Sequence, residues 1–118
     1  MKKGKTGLTP EQRLEASIAR SKKSGRIYTE MTGEPKKPGS LTEYRRSLLK
    51  EGDTVASQMR RVFKRCFAKT GDSEFALKEA RRVILDIAWD EKRHFYVTVS
   101  QAQWDKMEKR KREHDHHE

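Results

Sequence analysis

The sequence predicts a small, mainly α-helical domain centred on an antiparallel helix hairpin, over about residues 53–70 and 73–89. Three observations lead there. Val55, Met59, Val62, Phe63, Cys66 and Phe67 fall at offsets of 0, 4, 7, 8, 11 and 12, which is one face of an α-helix. Ala76, Ala80, Val83, Ile84 and Ile87 fall at 0, 4, 7, 8 and 11, with Phe75, Leu77 and Trp89 adding apolar bulk. Between the two runs, Thr70-Gly71-Asp72 stops the first helix and caps the second, a connection short enough to make them antiparallel neighbours.

The other elements follow in chain order. Residues 1–8 have no periodicity and read as a flexible basic arm. Thr9-Pro10-Glu11-Gln12 is a helix start: Thr9 caps, Pro10 suits the first helical position and Gln12 completes a capping box. This N-terminal helix, over 9–25, is expected to stop at Gly25. Its apolar face is thin, Leu14 and Ile18 with alanines, so it is either weakly docked or ordered by a partner. Residues 26–39 read as a linker, strand-like at 26–31 and irregular through the Gly and Pro residues of 33–39. A helical core domain is expected over 40–108. It opens on a second capping box, Ser40 to Glu43, followed by a short helix bearing Leu41, Tyr44, Leu48 and Leu49. After the hairpin, residues 94–99 alternate as one short strand, which needs a partner either in 26–31 or in a second copy. Ser100 to Gln103 form a third capping box, starting a C-terminal helix with Trp104 and Met107 that frays into a polar tail over 109–118.

Composition limits the core and directs attention to charge. Of 118 residues, 32% are hydrophobic and 39% charged, so the core is modest, and a partner or homodimer would complete it in a familiar way. The net charge is +10 and unevenly spread. Residues 1–71 hold 18 basic and 7 acidic side chains, whereas 72–118 hold 10 and 11. An asymmetry of that kind predicts an oriented contact with a polyanion.

Within the basic part, Arg60, Arg61, Lys64, Arg65 and Lys69 lie opposite the apolar face of the central helix, and residues 58–69 contain no carboxylate. Lys78, Arg81 and Arg82 lie opposite the apolar face of the next helix. Rows of cations on a rigid helix can match a phosphate backbone, and Lys2, Lys3 and Lys5 of the arm would add affinity. The expected function is therefore that of a nucleic-acid-binding accessory protein, DNA or RNA, with mainly sequence-independent contact. A helix-turn-helix reading of 55–89 is disfavoured, because Asp72 and Glu74 would stand where a recognition helix meets DNA. The alternative is a small adaptor or inhibitor whose basic face docks on an acidic protein surface. The thin N-terminal helix and the lone strand, represented by Ile18 and Tyr96, would then meet that partner.

Other classes find less support. No stretch approaches the roughly 20 apolar residues of a membrane span, and the single Cys66 sits on the apolar helix face, which fits a buried thiol and a cytoplasmic setting. His114-Asp115-His116-His117-Glu118 gathers metal-ligand types without a supporting shell, so no metal or other cofactor is expected. No phosphate loop, nucleophile elbow or paired catalytic motif occurs, and an enzyme is not expected.

Overall fold

The computed structural model describes residues 7–29, 39–93 and 97–116. The described residues are mainly helical, with five helices and one two-stranded antiparallel sheet among them. The order is α1 (Pro10–Arg20), β1 (Ile27–Tyr28), α2 (Leu41–Ser47), α3 (Val55–Thr70), α4 (Ser73–Lys92), β2 (Thr98–Val99) and α5 (Gln101–His116).

The helix starts form as their residue types dictate. Gln12 donates its backbone N–H to the Thr9 hydroxyl at 3.1 Å, and Thr9 N–H donates to Gln12 Oε1 at 2.9 Å. Ser100 and Gln103 repeat that reciprocal box, at 3.0 and 3.1 Å. At α2 the box is altered: Ser40 Oγ caps Glu43, but the Glu43 carboxylate accepts from Gly39 rather than from Ser40. Gly71 ends α3 in the left-handed conformation at φ +72°, and Asp72 caps α4 by accepting from Phe75 at 3.1 Å.

Two helix ends differ from expectation. α1 stops at Arg20, several residues early, because the serines around Lys22 and Lys23 offer the backbone a competing turn. Lys23 N–H donates to Ser21 Oγ at 3.2 Å, and Ser24 Oγ donates to Ser21 O at 3.2 Å. α5 does not fray at 108 but continues to His116. Asp105 precedes Lys109, and Glu108 precedes Arg112, in the order and spacing that support a solvated helix.

α3 and α4 form the expected hairpin and face each other through Val55, Met59, Val62, Phe63 and Cys66 on one side and Ala76, Leu77, Ala80, Val83 and Ile87 on the other. α1 lies across one side of the pair and α2 across the other. Leu14 and Ile18 belong to the same core, at 3% and 6% exposure, so the thin face of α1 is docked within the chain. Arg13 ties α1 to Glu74 of α4, and Arg60 of α3 grips Glu15 of α1.

The strand question resolves within the chain. Ile27 pairs with Val99 and Tyr28 with Thr98, antiparallel. On its other side the same segment bonds the turn before α3: Tyr28 N–H to Asp53 O and Gly52 N–H to Tyr28 O, each at 2.9 Å. β1 is thus the middle of three paired segments, and Tyr28 is buried at 2% exposure. The strands are shorter than the predicted 26–31 and 94–99; residues 30–31 and 94–96 lie outside the described residues.

Candidate nucleic-acid interface

The basic stripe of α3 is real but unequal. Arg60, Arg61, Lys64, Arg65 and Ala68 line an open concavity on α3. Arg60 is engaged by Glu15, Nε to Oε2 at 2.8 Å and Nη2 to Oε1 at 2.9 Å. The Glu15 carboxyl is held below its ordinary range chiefly by that hydrogen bond. Arg61 is part of the framework: it pairs with Asp53 and donates to Leu48 O and Gln58 Oε1, both at 2.9 Å. Lys64 and Arg65 are exposed and pair with no carboxylate among the described residues. They are the free charge of this surface.

The remaining predicted cations lie elsewhere. Lys69 stands over the Tyr44 ring, 4.9 Å from its centre, on the α2 flank. Because α3 and α4 meet through their apolar faces, the outer faces behind those residues point in opposite directions. Lys78, Arg81 and Arg82 are therefore turned away from Lys64 and Arg65. The predicted helix cations do not form one surface: Lys64 and Arg65 lie on one side, Lys78, Arg81 and Arg82 on another, and Lys69 on the α2 flank. Arg81 also donates to Ser17 Oγ of α1 at 2.9 Å, and Arg82 lies 3.8 Å from Glu79.

Of the other predicted contacts, Ile18 is buried in the core and cannot meet a partner. The paired strand also removes one element that had appeared to await a partner. Lys2, Lys3, Lys5 and Tyr96 lie outside the described residues, as do the side chains of His114 to Glu118. The start of α4 is occupied as its acids suggested: Asp72 caps the helix and Glu74 holds Arg13.

An interior ionic cluster was missed. Arg45 of α2, at 4% exposure, pairs with Glu79 and Asp86 of α4, and Arg46 pairs with Asp90. Burial works to lower the pKa of Arg45, but the bonds and charges of Asp86 and Glu79 outweigh it and raise the value. Gln58 Nε2 donates to Arg45 O at 2.8 Å and closes the cluster against α3. The signal was present: Glu79, Asp86 and Asp90 fall at offsets of 0, 7 and 11, a single helix face beside the apolar one. Among the described residues no three His, Cys, Asp or Glu side chains are grouped to hold a metal ion.

Two concavities flank the basic surface. An open groove of about 720 Å³ between α1 and α3 is floored by Leu14, Phe63, Phe67 and Ala68 and rimmed by Glu11, Glu15, Arg60 and Lys64. A pocket of about 450 Å³ lies between α2 and the hairpin, with Tyr44, Phe75 and Cys66 in its wall. Cys66 is buried, and burial pushes its thiol pKa up. No helix among the described residues is long and apolar enough to cross a membrane.

Compared with known proteins, the chain matches no family model, no curated protein and no solved structure.

Proposed function

We propose that this protein binds nucleic acid through the outer edge of α3, in a mainly sequence-independent way. The observation that carries the reading is the pair Lys64 and Arg65, exposed on α3 without a carboxylate partner among the described residues. Arg60 stands one turn away, roughly 6 Å along the axis. Phosphates compete well for such groups because a guanidinium or ammonium in solvent gives up little when it moves from water to an anionic oxygen. Arg60 joins on exchanging Glu15 for phosphate, while Arg61 holds the surface in place. Lys2, Lys3 and Lys5 add non-local attraction. α4 takes no part in this contact, since its cations face the other way.

Fluorescence anisotropy of labelled single- and double-stranded DNA and RNA across a salt series tests this. Wild type is expected to bind with a log–log salt slope of about −3 to −4, and the double variant K64E/R65E to lose at least tenfold in affinity and roughly two units of slope. The variant E15Q releases Arg60 and is expected to bind a few-fold tighter. If K64E/R65E binds as wild type does while K78E/R82E does not, the reading fails.

A further inference from the structure

The outer face of α4 carries an arrangement that phosphate binding does not require. Lys78, Arg82, Leu85, Trp89 and Arg93 fall at offsets of 0, 4, 7, 11 and 15, a single stripe along the side of the helix remote from α3. The stripe runs about 22 Å at the ordinary helical rise. Leu85 is 62% exposed and Trp89 42% exposed, one turn apart, and Leu85 is the most exposed large hydrophobic side chain among the described residues. Arg93 stacks on the Trp89 ring, 4.8 Å from its centre. Arg81 and Lys92, both exposed, widen the basic margin.

Most carboxylates near this face are engaged elsewhere. Glu74 holds Arg13, Asp86 holds Arg45, and Glu91 holds Lys23 at 2.6 Å, while the buried Glu79 holds Arg45 closely and reaches Arg82 only at 3.8 Å. What remains is an apolar centre of Leu85 and Trp89 between two basic ends. Isolated surface leucines need no explanation, but an adjoining leucine and tryptophan framed by cations form the centre and rim of a protein-binding surface.

We infer that the α4 face docks an acidic amphipathic helix of another protein. The chemistry of the face selects this occupant. Two apolar anchors one turn apart on a straight helix are met by apolar side chains at i and i+4 of a second helix. Carboxylates beside those anchors then meet Arg82 and Lys78 at one end and Arg93 and Lys92 at the other, which adds rate and orientation. A second copy of this chain is disfavoured, since it would set one row of cations against an identical row. Single-stranded nucleic acid is a poorer match as well. Leu85 offers no ring for stacking, and Arg93 already covers one face of Trp89. This inference is independent of the phosphate-binding edge on α3.

The test uses the full chain and three fluorescein-labelled peptides of about 18 residues, long enough to be helical when bound. The first is glutamate-rich with two leucines at i and i+4. The second replaces those leucines by alanine, and the third replaces glutamate by lysine. In anisotropy titrations at physiological salt the first is expected to bind at least tenfold tighter than either control. L85A is expected to remove that preference while its melting temperature stays that of wild type, because Leu85 lies outside the core. R82E is expected to do the same, and K64E/R65E to leave it intact. Equal binding of the three peptides, or unchanged binding by L85A, overturns the inference. Loss of oligothymidine binding in L85A overturns it in favour of a nucleic-acid platform. A dimer in sedimentation that L85A dissociates overturns it in favour of self-association.

Discussion

Arg45 is a cation inside the protein, held by Glu79 and Asp86 from α4 and by the Thr42 hydroxyl of its own helix. A buried pair of this kind is costly to break from one side, because the remaining charge loses its partner and stays out of water. The double variant E79A/D86A removes both partners and is therefore expected to destabilise the fold by about 3–5 kcal/mol, read from the midpoint of urea unfolding. Glu91 carries a smaller, pH-dependent share. Burial works to raise its pKa, but bonds from Lys23 at 2.6 Å and from Thr98 Oγ1 at 2.5 Å favour the ionised form, and the value lies below the ordinary 4.5. Its contribution is thus fully present above pH 4.5 and is lost as pH falls through the lowered folded value. The melting-temperature gap between wild type and E91Q is expected to be widest at neutral pH and to close in strong acid. The sequence could not assign these roles by residue type alone. Arg45, Arg61 and Arg65 are the same side chain, yet the first is interior, the second framework and the third exposed with no carboxylate partner among the described residues.

At the scale of elements, the residues that start and stop helices were the most legible. Thr9, Ser100, Gly71 and Asp72 do what their chemistry and spacing indicate, because a cap needs only a neighbour three residues away. The apolar periods of α3 and α4 were legible for a similar reason: one helix face is set by local geometry and buried as a unit. The docking of α1 was less so, since Leu14 and Ile18 are too few to show whether a neighbour covers them. The answer depends on groups far along the chain, Arg60, Glu74 and Arg81. α5 attaches through a contact of the same long-range kind. Trp104 lies over Gly52, whose φ is +95°, and a Cβ built there would approach the ring to 3.3 Å. G52A is expected to cost about 1–2 kcal/mol in backbone strain alone. It also pushes Trp104 aside, so hydrogen exchange along α5 is expected to quicken more than along α3.

On the scale of the whole molecule, charge was legible in amount but not in direction. The surplus in residues 1–71 is plain from counting, and the stripes opposite the apolar faces follow from the helical period. That the two stripes face apart follows only from packing α3 against α4, which turns one composite site into two. The acids that engage Arg60 and Arg61 come from Glu15 and Asp53, outside the run that looked purely basic. The same long-range geometry has a bearing on how the molecule comes together in time. Arg26 donates to the Thr98 hydroxyl at 2.9 Å across 72 residues of chain, beside the β1–β2 pairing, whereas the α3–α4 hairpin closes over a two-residue turn. Closing the larger loop carries the greater entropic cost, so the hairpin belongs to the folding nucleus and the strand clasp latches after it. R26A is accordingly expected to speed unfolding in stopped-flow chevrons and leave the refolding rate nearly unchanged, while V83A slows refolding. The clasp then acts as a kinetic lock, setting how long the native state lasts and leaving how quickly it forms to the hairpin.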